Sequence, residues 1–304
     1  MKYCNTLVRW GSHSNYAYDL SNPSKTKEEL NDASVIFNLL LLGDPALLDA
    51  SVLFSERYDR FRAVRFLPRA LELRPDLVNA LGKIPMRRIL GGKNYSEKGN
   101  LLHWLVLHSS ELNSRYVDEP LVQKREIMLV LSAMRLLISL GIEIDSSAEA
   151  TEHNQPVTPL AFAVQLQFCE GVDLLLDARA DPNATCAIDL DAYPTVTMRG
   201  CVLMKAAQCL LLPSVKSLIK ASANVNDTTS HGHTALTMLL QHRKWGGGYT
   251  SPWTSYLGEG ESASLGTQQM LKLLIDSSAD CNCALSSGVI SIFYYYISVI
   301  NSYR

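Results

Sequence analysis

Apolar residues recur along this chain at helical spacing, in blocks separated by short polar turns, and two of the blocks repeat in a fixed order. One is a string that opens a helix. It occurs as Asn100-Leu101-Leu102-His103-Trp104-Leu105, Thr158-Pro159-Leu160-Ala161-Phe162-Ala163, Cys201-Val202-Leu203-Met204-Lys205-Ala206 and Thr234-Ala235-Leu236-Thr237-Met238-Leu239. The other closes a helix. Leu175-Leu176-Asp177-Ala178-Arg179-Ala180-Asp181-Pro182-Asn183 reappears as Leu218-Ile219-Lys220-Ala221-Ser222-Ala223-Asn224-Val225-Asn226 and as Leu274-Ile275-Asp276-Ser277-Ser278-Ala279-Asp280-Cys281-Asn282. A looser copy, Leu137-Ile138-Ser139-Leu140-Gly141-Ile142-Glu143-Ile144-Asp145, precedes them. Thr-Pro starts a helix well, because Thr caps exposed N–H groups and Pro fits the first turn. Asp or Asn after the second helix suits a tight turn. One such helix pair cannot bury its own apolar face, so neighbouring copies must stack.

In these residues the chain resembles the ankyrin-repeat family, whose pattern runs Gly-x-Thr-Pro-Leu-His-x-Ala through Leu-Leu-x-x-Gly-Ala-Asp-Val-Asn. Thr158, Pro159, Leu160, Ala163, Leu175, Leu176, Ala180, Asp181 and Asn183 make the clearest copy. The resemblance covers roughly Lys98 to Leu285. It implies an all-α fold: an α-solenoid of helix-turn-helix repeats, about four of them. Three departures stand out. Arg179, Ser222 and Ser278 replace the glycine kept at Gly141, a place where the family's second helix ends in a left-handed residue, at about 1 kcal/mol each. Ala161, Met204 and Thr237 replace the histidine kept at His103. The interval from Thr158 to Cys201 exceeds the family period of about 33 residues, while that from Cys201 to Thr234 matches it.

The pattern divides the chain into a helical N-terminal region (1–95), the array (96–285) and an atypical apolar tail (286–304). Thr26-x-x-Glu29 reads as a capping box opening a helix through Leu42, which Gly43-Asp44-Pro45 ends. The region is read as a helical cap, with decayed repeats as the alternative. Insertions are expected between paired helices at 110–124 and 245–266, the latter a Gly-, Ser- and aromatic-rich surface loop, and between copies at 185–199. The tail, Val289 to Arg304, is rich in Ile, Phe, Tyr and Asn, whose codons are rich in A and T, and it opens with a valine after Gly288. It is read as intron sequence behind an exon end, against an authentic apolar terminal element. As protein it would be a sticky surface.

Composition narrows the function classes. Net charge is −2, from 28 Lys+Arg against 30 Asp+Glu, which offers no global attraction for nucleic acid. Arg57, Arg60, Arg62, Arg65, Arg69 and Arg74 form a basic run, but Glu56, Asp59 and Glu72 interleave, so a salt-bridged face is expected. The apolar runs Val35–Leu42 and Val289–Ile300 fall short of the ~18 residues needed to span a bilayer. The N-terminus shows no apolar stretch of signal-peptide length. The seven cysteines lie without framework spacing, mostly in apolar segments. Reduced, packed thiols in a cytoplasmic or nuclear protein are expected, Cys281 among them at a packed valine position.

Catalytic and metal chemistry find little support. Cys281-x-Cys283 with His231, His233 and His242 matches no zinc spacing. Gly246-Gly247-Gly248 lacks a Gly-Lys-Ser/Thr ending, and no nucleophile triad, kinase string or dinucleotide fingerprint is present. Asp189 and Asp191 read as solvated carboxylates. No cofactor, metal or catalytic residue is therefore assigned. The resemblance implies instead a protein–protein interaction scaffold or adaptor, with partners held on the turn tips and the inner-helix face. Carried onto this chain, the variable positions are Leu107, His108, Val157, Gln165, Leu166, Gln208, Cys209, His233, Gln241 and His242. Trp245, Tyr249, Trp253 and Tyr256 are exposed aromatic candidates in the inserted loop. The expected partner is another protein, with neither nucleic acid nor membrane. Alternatives are a substrate-receptor subunit of a ubiquitin ligase and a truncated form of a longer enzyme.

Overall fold

The computed structural model describes residues 64, 67–68, 70–72, 74–85, 96–115, 119–148, 157–190, 196–244 and 261–281. These residues are mostly helical. First helices α1 (Leu101–Arg115), α3 (Pro159–Gln165), α5 (Val202–Gln208) and α7 (Ala235–Lys244) alternate with second helices α2 (Pro120–Ser139), α4 (Cys169–Asp177), α6 (Leu212–Lys220) and α8 (Glu261–Asp276). Each first helix packs on the second helix that follows it. The first helices also pack on one another in chain order, and so do the second helices. Upstream lie helical residues among 64–72 and a 3₁₀ helix, Pro75–Asn79.

The sequence of each row follows from this packing. A first helix has its partner on one side and another first helix before or after it, so α3 buries every residue from Pro159 to Val164. A helix enclosed this way needs no polar stripe. Second helices keep one. In α4, Gly171, Val172 and Leu175 are buried while Glu170, Asp173 and Asp177 are exposed; in α6, Val215 and Leu218 are buried while Lys216 and Lys220 are exposed. Gly171 lies so close to the Phe168 ring that an added Cβ would meet it at 2.3 Å.

Helix ends carry the expected local chemistry. The Thr158 hydroxyl accepts the Ala161 N–H at 3.2 Å, with Pro159 at the first helical position. Thr234 and Thr237 cap reciprocally: each hydroxyl accepts the other's backbone N–H, at 3.2 and 2.7 Å. At the far end, Gly141, Arg179, Ser222 and Ser278 all adopt positive φ, between 67° and 80°. The next N–H then reaches back to the helix, Ile142 to Leu137, Ala180 to Leu175, Ala223 to Leu218 and Ala279 to Leu274. Beyond the first three of these turns, an Asx side chain reaches the following copy. The backbone N–H of Asp181 donates to Asp145 Oδ1 (3.1 Å), that of Asn224 to Asn183 Oδ1 (2.8 Å), and that of Asp280 to Asn226 Oδ1 (2.7 Å).

Strands correct the all-α expectation. β1 (Gly82–Pro85) pairs antiparallel with β2 (Ser96–Gly99) ahead of α1, Gly82 opposite Gly99. β3 (Thr185–Leu190) pairs with β4 (Val196–Cys201), Thr185 opposite Cys201, in the stretch expected to be an extended loop. A bridge between Ala148 and Val157 precedes α3. The physical reason is alternation. Cys186, Ile188, Met198 and Gly200 face inward and are buried, while Arg199 points to solvent and its Nε donates to Thr185 Oγ1 at 3.0 Å. Gly200 leaves room for Ile188 and Met204, whose atoms lie 2.4 and 2.8 Å from where a Cβ would stand.

The two expected between-helix insertions also change. Most of 110–124 is helix, because α1 runs on to Arg115 and buries Leu112, and Pro120 starts α2. The second ends earlier than expected, at the start of α8 on Glu261. The Thr26 capping box, Arg57 to Arg69 of the basic run, and the tail lie outside the described residues. Arg74 is described, and its guanidinium pairs with Asp76 at 2.6 Å.

Candidate functional site

The sequence-derived positions fall into three groups. Gln165 and Leu166 end α3, and Gln208 and Cys209 end α5, each pair comprising the last helical residue and the residue after it. The match is one of backbone, since Gln167 (φ 59°) and Leu210 (φ 56°) then turn left-handed. The N–H groups of Phe168 and Leu211 reach back to Ala163 and Ala206, both at 2.9 Å. All four positions are half-buried. Gln208 Oε1 accepts from Lys205 Nζ at 3.1 Å, holding one amide in place. Two amides with apolar neighbours thus stand at corresponding places on adjacent first helices.

Leu107, His108, Val157 and His233, expected on the binding face, are buried instead. α1 buries every residue from Leu101 to Ser109, since α2, α3 and the β1–β2 ribbon all pack on it. The His108 ring stacks on Trp104, centroids 5.9 Å apart. Val157 is consumed by the bridge to Ala148. His233 closes a tight turn whose centre is Thr229: the Thr229 N–H donates to the His233 carbonyl at 2.9 Å, and the Thr229 hydroxyl accepts from the His231 and His233 N–H groups. Burial, and then the positive charge of His231, hold the His233 ring below the usual imidazole range.

Gln241 and His242 form the third group, together with the loop aromatics. They lie within α7, which continues to Lys244, so they do not stand at a helix end as Gln165 and Gln208 do. Trp245, Tyr249, Trp253 and Tyr256 lie outside the described residues.

His103 has a structural part that its sequence position alone did not reveal. Its Nε2 lies 2.8 Å from the Val157 carbonyl, which joins α1 to the entry of α3. A carbonyl only accepts, so Nε2 carries a proton, while Nδ1 lies 2.8 Å from Asn100 Oδ1 and 3.3 Å from the Asn100 N–H. Asn100 caps α1 through Oδ1, which accepts from the Leu102 and His103 N–H groups, and its Nδ2 donates to the Glu143 carbonyl at 2.8 Å. Burial pushes the ring down to about 4.

Two of the thiols are poor nucleophiles by environment. Burial raises Cys201 to about 11 and also raises Cys169, so both stay protonated at neutral pH. Cys186 is buried too, whereas Cys281 is exposed and does not occupy the packed position expected of it. Among the described residues, no three His, Cys, Asp or Glu side chains converge as a metal-binding group. Nor is any described helix long and apolar enough to cross a membrane. Compared with known proteins, the sequence matches no family model and aligns significantly with no curated protein.

Proposed function

We propose that this chain is an array of ankyrin-type repeats forming an α-solenoid, and that it acts without catalysis. In this reading it is a scaffold or adaptor that holds another protein along its first-helix face and inserted loops. The array is supported by the two strings in fixed order, the pairing of helices in two rows, the left-handed residue at four matched places, and the Asx bonds from copy to copy. Such stacking leaves a long surface on which partner contacts recur with the period of the copies.

The observation that carries the binding reading is the match between Gln165 and Gln208. Each carries an amide, that of Gln208 held by Lys205 Nζ, and each sits beside a half-buried Leu166 or Cys209. An extended polypeptide presents alternating N–H and C=O groups, which amides at regular intervals can pair, while the apolar neighbours cover its side chains. The test uses the full chain as bait, in wild-type form and as the Gln165→Arg/Gln208→Arg double variant. Proteins captured from cell extract are identified, and their affinities for both forms measured. The expected result is a partner whose affinity falls about tenfold or more in the double variant, with thermal stability unchanged. A partner bound equally well by both forms would remove the site from this face.

A further inference from the structure

The chain of Asx bonds does not start at Asp145. Asn79 Oδ1 accepts the backbone N–H of Glu143 at 2.9 Å, and Glu143 stands in its turn where Asp181, Asn224 and Asp280 stand in theirs. The turn around Asn79 also closes like the later ones. One residue past Asn79, the Ala80 N–H donates to the Leu77 carbonyl at 3.1 Å. One residue past Asn183 and Asn226, Ala184 donates to Asp181 (3.1 Å) and Asp227 to Asn224 (3.3 Å). Val64, Leu67, Ala70, Leu71, Leu77 and Val78 are buried in the same apolar core as the helices that follow.

We infer that the described residues among 64–80 are the closing half of a further unit of the same kind, stacked ahead of α1 and α2. The β1–β2 ribbon is then a finger between two units, as β3–β4 is, and not the edge of a separate cap. The unit is disguised in sequence for a specific reason. Four residues before Asp145, Asn183 and Asn226 stand the left-handed Gly141, Arg179 and Ser222; four before Asn79 stands Pro75. A proline ring fixes φ near −65°, so this turn cannot pass through the left-handed region. The 3₁₀ helix Pro75–Asn79 closes it instead, with Pro75 at its start. The Arg74 guanidinium holds the Asp76 carboxylate through two bonds, of 2.8 and 2.6 Å. The upstream side of α1–α2 is therefore an internal seam.

The inference concerns the stack itself and is tested without any partner. Hydrogen exchange is measured on the full chain carrying Asn79→Ala, Asn79→Asp or Asn183→Ala. Asn79→Ala is expected to speed exchange of the Glu143 amide roughly three- to tenfold, as Asn183→Ala does for the Asn224 amide. Asn79→Asp is expected to keep Glu143 protected, because Asp145 fills the same place in the next turn. Asn79 is exposed, so both variants should fold. Glu143 exchange unchanged by Asn79→Ala would overturn the inference, whatever the behaviour of Asn183→Ala.

Discussion

Arg179, Ser222 and Ser278 hold backbone angles that a side chain resists, at φ of 69°, 69° and 67°. Their Cβ atoms crowd the following backbone, and glycine would not. Arg179→Gly, Ser222→Gly and Ser278→Gly should therefore each stabilise the chain by about 0.5–1 kcal/mol, read as a raised urea midpoint. Gly141→Ala should do the reverse, although open space surrounds that position. A stabilising Gly141→Ala would show that these turns are not strained in solution. His103 provides a second residue-scale test. Its folded pKa of about 4 lies below the ordinary 6.5, so the fold favours the neutral ring. That preference acts in full above pH 6.5 and is lost as pH falls from 6.5 towards 4. By the size of the shift it is worth up to about 3 kcal/mol. Wild-type stability should fall between pH 7 and pH 4.5, and His103→Gln should flatten part of that slope. His233, whose pKa is also lowered, contributes with the same sign. An unchanged slope in His103→Gln would show that the ring does not drive it.

At the scale of elements, the helix hairpins were legible and the ribbons were not, for a common reason. The helix signal comes from two strings in fixed order, so each copy reinforces the others. The β3–β4 signal occurs once, as the alternation Cys186-Ala187-Ile188 against Met198-Arg199-Gly200, inside a segment whose length alone suggested a loop. Reading its period would have found it. The matched helix-end places of Gln165 and Gln208 were legible from repeat position, whereas burial was misread where enclosure decides. Leu107 and His108 occupy variable positions by count, yet α1 is covered by α2, α3 and a ribbon that the sequence reading did not anticipate. The ribbon's own weak point is Gly200. Gly200→Ala drives a methyl group into Ile188 Cδ1 and Met204 Sδ, and it should cost about 1–3 kcal/mol. Pairing Gly200→Ala with Ile188→Val, which removes the nearer atom, should recover part of the loss. Equal losses in the single and double variants would show that the clash lies elsewhere.

For the whole molecule, the question is how far a local loss travels. Each of α1 to α8 packs on its hairpin partner and on neighbours in its own row, so coupling passes from one unit to the next. Leu160 in α3 and Leu274 in α8 are both fully enclosed. Truncating either to Ala should cost about 2–5 kcal/mol. Their reach should differ. Leu160 sits in a helix with first helices on both sides, α1 and α5, so Leu160→Ala weakens two seams and should lower amide protection across α1 to α6. Leu274 lies in the last described helix, touching α6 and α7, so Leu274→Ala should release protection in α7 and α8 while α1 to α4 keep theirs. Hydrogen exchange on the two variants decides between neighbour-by-neighbour coupling and a single all-or-none core. Equal loss of protection in α1 and α8 for Leu274→Ala would establish the latter, because a stacked row transmits such a change through every intervening seam with diminishing effect.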